Sequence, residues 1–275
     1  MMEESYLKGE NFGKLMKFVG KLPIGDSWKQ PIHFVGDTLR LYQTGEGPCG
    51  FFSVIQAYIL LNHKKNNGMQ REDLLIQSIL DIMKKIRNIY AFCQCVDFGG
   101  SELMFYVTTN EDLARKYLKE SGILYVDIAS LILTVSFVYI AGPALLSSYA
   151  FGDSLIDDNG QTTIQFVLLM ITGTIADSPN QNYSVHGQML ITGVLVEQDI
   201  GLILVDENES DHTVGYPLLS PKYKIWIVYY GGHFTTIMFE DGQFFEYNNL
   251  NHMNEEYKLC TEQHILFSTL LDLLE

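Results

Sequence analysis

Three short stretches near the C-terminal end, each rich in β-branched and aromatic residues, constrain the fold of this chain most strongly. They cover residues 224–230, 234–239 and 243–247. Gly231-Gly232 separates the first two stretches, and Glu240-Asp241-Gly242 separates the second from the third. Because Asp-Gly between apolar stretches favours a tight hairpin turn, the pattern predicts an antiparallel meander of three strands.

The earlier part of the chain carries helical patterns. Apolar residues recur at helical spacing between Glu72 and Arg87, and residues 108–111 (Thr-Thr-Asn-Glu) have the form of a capping box for a helix that Gly122 ends. Residues 163–171 fit a helix or a strand. Helices first and strands late predict an α+β fold. Since no proline- or serine-rich linker divides the 275 residues, we interpret residues 1–275 as a single domain.

One apolar segment has nearly the length of a membrane span. Residues 128–146 contain no charged side chain, and roughly 20 such residues cross a bilayer. Asp127 and Asp153 flank the segment without a nearby lysine or arginine, and Gly142-Pro143 interrupts it. We therefore predict a buried core helix that breaks near Gly142-Pro143, and we expect no membrane partner.

Charge and cysteine content argue against several classes of protein. Lysine and arginine number 18 against 33 aspartates and glutamates, and a formal net charge of −15 repels the phosphates of nucleic acids. Four cysteines are too few for a disulfide framework, and the Cys93-Gln94-Cys95 spacing is too short for a common zinc half-site, so we expect no metal or cofactor. The sequence opens without the features of a signal peptide, which leads us to expect a cytoplasmic or nuclear protein.

A cysteine at the start of a predicted helix is the strongest chemical candidate. Cys49 follows Gly45-Glu46-Gly47-Pro48 and precedes residues 51–61, which have an apolar face at helical spacing. The amide groups and the dipole at a helix N-terminus favour a thiolate, and the glycines let a substrate backbone approach closely. The local sequence is equally compatible with a small buried residue at a helix start.

A nucleophilic cysteine needs a base, and His233 is the best placed of the seven histidines. It opens the second strand of the predicted meander, directly after two glycines that leave the imidazole uncovered. A histidine on a strand that faces a cysteine on a helix is the papain-type arrangement, in which the two residues are distant in sequence. The pair Cys49 and His233 therefore predicts a cysteine hydrolase.

Two amide side chains complete the candidate site. Gln43 lies six residues before Cys49, from where its amide can donate to the same oxyanion as the Cys49 N–H. Asn248 follows the third strand and is our choice for the residue that orients the second ring nitrogen of His233. Asn249 and Glu246 are the substitutes, and a turn-forming asparagine without a catalytic role is the alternative.

The order of these residues resembles the MINDY family of deubiquitinases, and within it the branch of the third and fourth human members. Residues 43–50 resemble that branch's catalytic glutamine and Gly-Pro-Cys motif, with the same interval between them. Residues 171–180 resemble its Leu-Thr-Gly-Arg-Ala stretch and the asparagine that follows. Residues 219–228 and His233-Phe234 resemble its Ser-Pro-Lys-Tyr-Pro-Ile-Trp-Val-Val and His-Phe block. The resemblance extends from about Tyr42 to Leu250.

This resemblance implies a papain-like cysteine peptidase that hydrolyses isopeptide bonds in polyubiquitin, with a preference for lysine-48 linkages. It implies Cys49 as the nucleophile, His233 as the base and Gln43 as the oxyanion donor, which are the residues that chemical reasoning selects. Two alternatives stay open at this point. The first alternative is a catalytically silent ubiquitin-binding protein. The second is a papain-like enzyme that acts on another modifier or on a glutamine amide.

Overall fold

The computed structural model describes the chain except for residues 22–23, 95–99, 101, 148–153, 180–183, 187–188, 192, 206–213, 251–256, 260–269, 272 and 275. The helices of the described part are α1 (Gly9–Val19), α2 (Cys49–Lys65), α3 (Arg71–Ile86), α4 (Glu111–Ser121), α5 (Ala129–Ser147), α6 (Ile164–Thr172) and α7 (Tyr216–Leu219). Its strands are β1 (Glu3–Lys8), β2 (His33–Phe34), β3 (Leu41–Tyr42), β4 (Tyr90–Cys93), β5 (Glu102–Thr108), β6 (Ser184–His186), β7 (Met189–Ile191), β8 (Gly201–Val205), β9 (Ile225–Tyr230), β10 (His233–Glu240), β11 (Gln243–Tyr247) and β12 (Lys258–Leu259).

The predicted meander is confirmed by β9, β10 and β11, which pair antiparallel in chain order. The residues of both turns have positive φ: 57° and 81° at Gly231 and Gly232, and 50° and 80° at Asp241 and Gly242. Two successive positive φ values match the right-handed twist of the flanking strands. The sheet is larger than the meander, because β12 joins β11 and β8 pairs parallel with β9.

A second sheet lies among the N-terminal helices, where the prediction of helices first and strands late is wrong. It has the antiparallel order β1-β5-β4. β1 is an edge strand with two glutamates and a lysine, so it lacks the apolar alternation of a half-buried strand. β4 has only four residues, all buried, and such a short apolar stretch cannot be told from a helix by its period. The fold is therefore mixed α/β with strands in both halves.

Two helix ends differ from or refine the prediction. Asn110 is the residue that caps α4, because its side chain accepts a hydrogen bond from the Leu113 N–H at 3.1 Å. The prediction of a capping box that begins at Thr108 is therefore wrong by two residues. The Thr108 hydroxyl instead accepts a hydrogen bond from the Asn110 N–H. Gly122 ends α4 as predicted. The segment that fitted a helix or a strand is α6, whose first turn is capped by the Thr163 side chain.

Helix α2 is the centre of the molecule and not a helix with one apolar face. Every residue from Cys49 to Asn62 is buried. The helix packs against β9 and β10 of the large sheet and against α3 and α6. The Thr236 hydroxyl of β10 donates to the Ser53 carbonyl at 2.9 Å, which fixes the sheet relative to the first turns of the helix.

Helix α5 contains the uncharged segment and is interrupted where the sequence predicts. Gly142 has φ 74° and ψ 164°, which are not helical values. By length and composition residues 129–146 could cross a membrane, but 72% of this segment is buried inside the protein. The Ser136 hydroxyl accepts from the Cys93 N–H of β4 at 3.0 Å. These contacts are those of a core helix.

The buried apolar residues form two clusters on the two faces of the five-stranded sheet. The larger extends from Leu15 to Tyr247 and includes residues of α1 to α7, while the smaller surrounds Trp226. Successive side chains of β9 point to opposite faces, so Ile225 and Ile227 belong to the first cluster and Trp226 to the second. Trp28 and Trp226 are both fully buried. The single-domain interpretation of residues 1–275 stays a prediction.

Two glycines that end helices offer a matched test of this packing. Gly122 ends α4 and Gly173 ends α6, both with positive φ, at 67° and 77°. A Cβ on Gly173 would overlap with the carbonyl oxygen of Lys85 in α3, whereas a Cβ on Gly122 would meet no atom within 4 Å.

We expect Gly122→Ala to lower the free energy of unfolding by about 1 kcal/mol, the usual cost of a left-handed alanine. Gly173→Ala should lower it by about 3 kcal/mol or more, because the new methyl group also displaces a backbone carbonyl. Urea denaturation measures both values. Equal losses in the two variants would contradict the close approach of α6 to α3.

Candidate active site

The loop that leads into α2 is held by two neighbouring segments. Gly47 has φ 114°, and a Cβ there would lie 2.7 Å from the Ser27 hydroxyl and 2.9 Å from the Gly160 carbonyl oxygen. Thr162 donates its backbone N–H and its hydroxyl to the Gly47 carbonyl, at 2.9 and 3.0 Å. A Cβ on Gly50 would lie 2.7 Å from the Thr162 side chain. These glycines are therefore required by packing, in addition to any role in admitting a substrate.

Cys49 is the first residue of α2, as predicted, and its side chain is only 4% exposed. Burial raises the pKa of its thiol. The backbone N–H groups of Phe234, Gly50 and Cys49 itself lower this pKa, and Glu46 adds to the rise. The amide groups at the helix N-terminus favour the thiolate as expected, but in this conformation desolvation outweighs them.

Strand β10 brings His233 to the end of α2 that carries Cys49. The backbone N–H of Phe234, the next residue, lies close enough to the Cys49 sulfur to lower the pKa of its thiol. His233 itself is half-buried at the start of the strand. In the part of the chain that the structure describes, no hydrogen bond joins the thiol directly to the imidazole. The two residues are therefore linked through Phe234, which follows His233 in β10.

Asn248 determines which nitrogen of His233 can act as a base. The Nε2 of His233 lies 3.1 Å from the Asn248 Oδ1, and the same oxygen accepts from the Leu250 backbone N–H at 3.0 Å. Because a backbone N–H can only donate, this atom is the amide oxygen, and the Nε2 must carry the proton that it shares. In the neutral ring the Nδ1 is then unprotonated and able to accept a proton.

Gln43 directly follows β3 and connects two segments. One is the cysteine loop, which we define as residues 44–48, and the other is the turn that contains Asn248 and Asn249. Its backbone N–H donates to the Asn249 carbonyl at 3.0 Å. Its Nε2 donates to the Gly45 carbonyl at 2.6 Å, which occupies one of the two amide hydrogens. The side chain is fully buried. Gln43 therefore has one amide hydrogen without a partner among the described residues, on a side chain that is closed to solvent.

Two buried polar side chains that the sequence analysis missed support the same region. Arg40 donates from one terminal nitrogen to the Asn248 carbonyl at 3.0 Å. The Gln30 side chain accepts from the Thr44 N–H at 2.7 Å and from its hydroxyl at 2.9 Å. Their partners are distant in sequence or are backbone groups, so no local pattern identifies these residues.

The other histidines and cysteines contribute nothing further to this site in the described part of the chain. His33 packs on Tyr42, His63 lies in the last turn of α2, and Cys93 is buried in β4. No group of three metal-ligating side chains occurs among the described residues. The following side chains lie outside them: His186, His212, His252, His264, Cys95 and Cys260. Asn180, the end of one stretch of family resemblance, also lies outside them.

The raised pKa of Cys49 predicts a steep pH dependence of its alkylation. The thiolate is the reactive form, so iodoacetamide should modify Cys49 slowly at neutral pH. The rate should then rise about tenfold per pH unit until the pH exceeds the ordinary cysteine pKa of about 8.5. Mass spectrometry of the peptide that contains Cys49 measures this rate, and a Cys49→Ser variant supplies the blank. Fast alkylation that persists near pH ~5 would reveal a preformed thiolate–imidazolium pair and contradict the buried thiol.

Comparison with known proteins places the chain in a family. The family described as "Deubiquitinating enzyme MINDY-3/4, conserved domain" matches residues 23–261 of 275. No curated protein and no solved structure matches the chain. The matched range contains Gln43, Cys49, His233 and Asn248 and most of the described core. The chain therefore belongs to the MINDY-3/4 family of deubiquitinating enzymes.

Proposed function

We propose that this deubiquitinating enzyme is a papain-like cysteine isopeptidase that hydrolyses polyubiquitin in the cytoplasm or nucleus, with a preference for lysine-48 linkages. Membership of the family supplies the class of activity. The single observation that carries the mechanism is the hydrogen bond between the His233 Nε2 and the Asn248 Oδ1, beside a cysteine at a helix N-terminus. It leaves the Nδ1 as the basic nitrogen on a residue adjacent to the thiol's amide donor.

The first half of the reaction forms a thioester. The Nδ1 of His233 takes the proton of Cys49, and the sulfur attacks the carbonyl carbon of the C-terminal glycine of ubiquitin. The carbonyl oxygen becomes an oxyanion, which accepts hydrogen bonds from the Cys49 backbone N–H and the Gln43 Nε2. The C–N bond to the lysine amine then breaks, and the amine leaves with the proton that His233 carries.

The second half regenerates the enzyme. His233 takes a proton from a water molecule, whose oxygen attacks the thioester carbonyl, and the same two donors hold the second oxyanion. The C–S bond breaks, the sulfur recovers its proton and ubiquitin leaves with a free carboxylate. Asn248 keeps the imidazole in one tautomer throughout, because its oxygen can pair only with a protonated Nε2.

Substrate binding has to activate the thiol in this scheme. Cys49 is buried and its pKa is raised, so the resting enzyme holds a protonated sulfur. The ubiquitin tail ends in two glycines, which fit a narrow approach bordered by the glycines around Cys49. Movement of the loop before α2 would expose the sulfur to the substrate and uncover Gln43.

The burial of Cys49 is also the one observation that favours a second candidate, a catalytically silent ubiquitin-binding protein. A structural cysteine is buried and inert, whereas a nucleophile is accessible. The ordered set of Gln43, Cys49 and His233 argues for the enzyme. A papain-like enzyme for another modifier stays the third candidate, and probes built on several modifiers separate it. Cleavage of a panel of diubiquitins measures the linkage preference.

An electrophilic ubiquitin probe tests the enzyme directly. Ubiquitin with a reactive C-terminal group should form a covalent adduct with the wild-type chain and none with Cys49→Ala, because the bond forms at that sulfur. His233→Ala should slow the adduct strongly, while Cys93→Ala, a change at another buried cysteine, should leave it unaffected. Binding of ubiquitin without any adduct would establish the silent protein instead.

The oxyanion role of Gln43 predicts a loss of rate without a loss of binding. Gln43→Ala should lower kcat by about 10²- to 10³-fold, the usual effect of removing one oxyanion donor, with little change in KM. Steady-state cleavage of a fluorogenic ubiquitin amide measures both constants. Gln94→Ala, which removes a partly buried glutamine outside the site, is the control. An unchanged kcat in Gln43→Ala would remove this residue from the mechanism.

A further inference from the structure

Among the buried polar atoms that have no hydrogen-bond partner in the described part of the chain, three lie on two adjacent residues of the candidate site. They are the Oε1 of Gln43 and both amide atoms of Asn249. The Gln43 side chain is fully buried, and that of Asn249 is 1% exposed. Buried polar atoms in native proteins are nearly always paired, because an unpaired amide opposes folding. Such a cluster at one place indicates groups that are kept for a state other than this one.

The two residues are direct neighbours. The Gln43 backbone N–H donates to the Asn249 carbonyl at 3.0 Å, so their backbones run side by side at this point. Asn249 also follows Asn248, whose side chain holds the His233 ring. Asn249 thus lies between the residue that orients the imidazole and the residue that we place at the oxyanion.

The present orientation of the Gln43 amide can change without leaving its partner unpaired. The Gly45 carbonyl that accepts from the Gln43 Nε2 at 2.6 Å also lies 3.5 Å from the Nε2 of Gln30. A second donor is therefore ready to take over when Gln43 turns away. Gly45 has open space around its α-carbon, with no atom within 4 Å of an added Cβ, so the loop has room to adjust.

We propose that Asn249 is a positioning residue for Gln43, an inference that rests on the proposed function of Gln43 as oxyanion donor. When the substrate enters, the Gln43 amide releases Gly45, and its Oε1 accepts a hydrogen bond from the Asn249 Nδ2. The Nε2 of Gln43 then turns toward the carbonyl under attack. This single pairing satisfies two of the three unpaired atoms.

An amide at position 249 suits this task better than other side chains. A donor on the Gln43 Oε1 polarises the amide and strengthens the hydrogen bonds that its Nε2 gives. It also fixes the plane of a side chain whose terminal torsion is otherwise broad. A carboxylate at this position would offer no donor to the Oε1 and would favour the opposite orientation of Gln43.

The variant Asn249→Leu separates this role from a structural one. Leucine has a similar shape and lacks both polar atoms, so removal of an unpaired amide should leave Tm unchanged or raise it. The kcat for a fluorogenic ubiquitin amide should fall about 10- to 100-fold, less than or equal to the effect of losing the donor itself, with KM nearly unchanged. Asn249→Ala is the second variant if the leucine does not fold.

Asn62 provides the matched control, because it is a buried asparagine whose amide is paired. Its Nδ2 donates to the Ser78 hydroxyl at 3.3 Å and to the Asp81 carboxylate at 2.8 Å, near the other end of α2. Asn62→Leu should therefore show the opposite behaviour, with a lower Tm and a normal kcat. A lower Tm and a normal kcat in Asn249→Leu would overturn the proposal and make Asn249 a structural amide.

The double variant Gln43→Ala/Asn249→Leu tests whether Asn249 acts through Gln43. Its kcat should equal that of Gln43→Ala alone, since a positioning residue has nothing left to position. Effects that multiply would overturn the proposal. The alkylation rate of Cys49 should stay at the wild-type value in Asn249→Leu, because alkylation forms no oxyanion, and a changed rate would instead indicate a disturbed cysteine loop.

These measurements also distinguish a failure of the proposed role of Asn249 from a failure of the proposed role of Gln43. If kcat is low in Gln43→Ala but normal in Asn249→Leu, the inference about Asn249 is overturned and the oxyanion role of Gln43 stays intact. If kcat is normal in Gln43→Ala, Gln43 has no part in the chemistry, and the proposed role of Asn249 is overturned with it.

Discussion

The packing of α2 against the five-stranded sheet holds the two halves of the candidate site together. The helix is buried from Cys49 to Asn62, so its position leaves little freedom. The bond from the Thr236 hydroxyl to the Ser53 carbonyl sets β10 beside the first turns of the helix. As a result, the strand that begins at His233 passes the helix end that begins at Cys49. Residues that are 184 positions apart by their numbers are brought to one place by core packing alone.

The same burial opposes formation of a thiolate at Cys49. Each pKa unit by which a thiol is raised corresponds to about 1.4 kcal/mol against the thiolate, and the amide donors at the helix end do not compensate for desolvation here. In the proposed mechanism, binding of ubiquitin supplies this energy by opening the loop before α2. The unpaired Oε1 of Gln43 and the unpaired amide of Asn249 fit the proposed mechanism, in which the substrate stabilises a conformation that pairs them.

Features with a local cause could be predicted from the sequence, and features with a distant cause could not. The meander and the break at Gly142 follow from glycine turns that any short window shows. The sheet that contains β1 was missed, because its partner β5 lies about a hundred residues away and its own pattern is polar. In the site, order and spacing selected Cys49 and His233. By contrast, the hydrogen bonds from Thr162 to Gly47 and from Arg40 to Asn248 exist only through tertiary contact.

The most direct test of the central claim is a crystal structure of the covalent adduct between this chain and an electrophilic ubiquitin. We predict a bond at the Cys49 sulfur, the Nδ1 of His233 within hydrogen-bonding distance of that sulfur, and the Nε2 still paired with Asn248. An adduct at another cysteine, or an imidazole well away from the modified sulfur, would contradict this prediction.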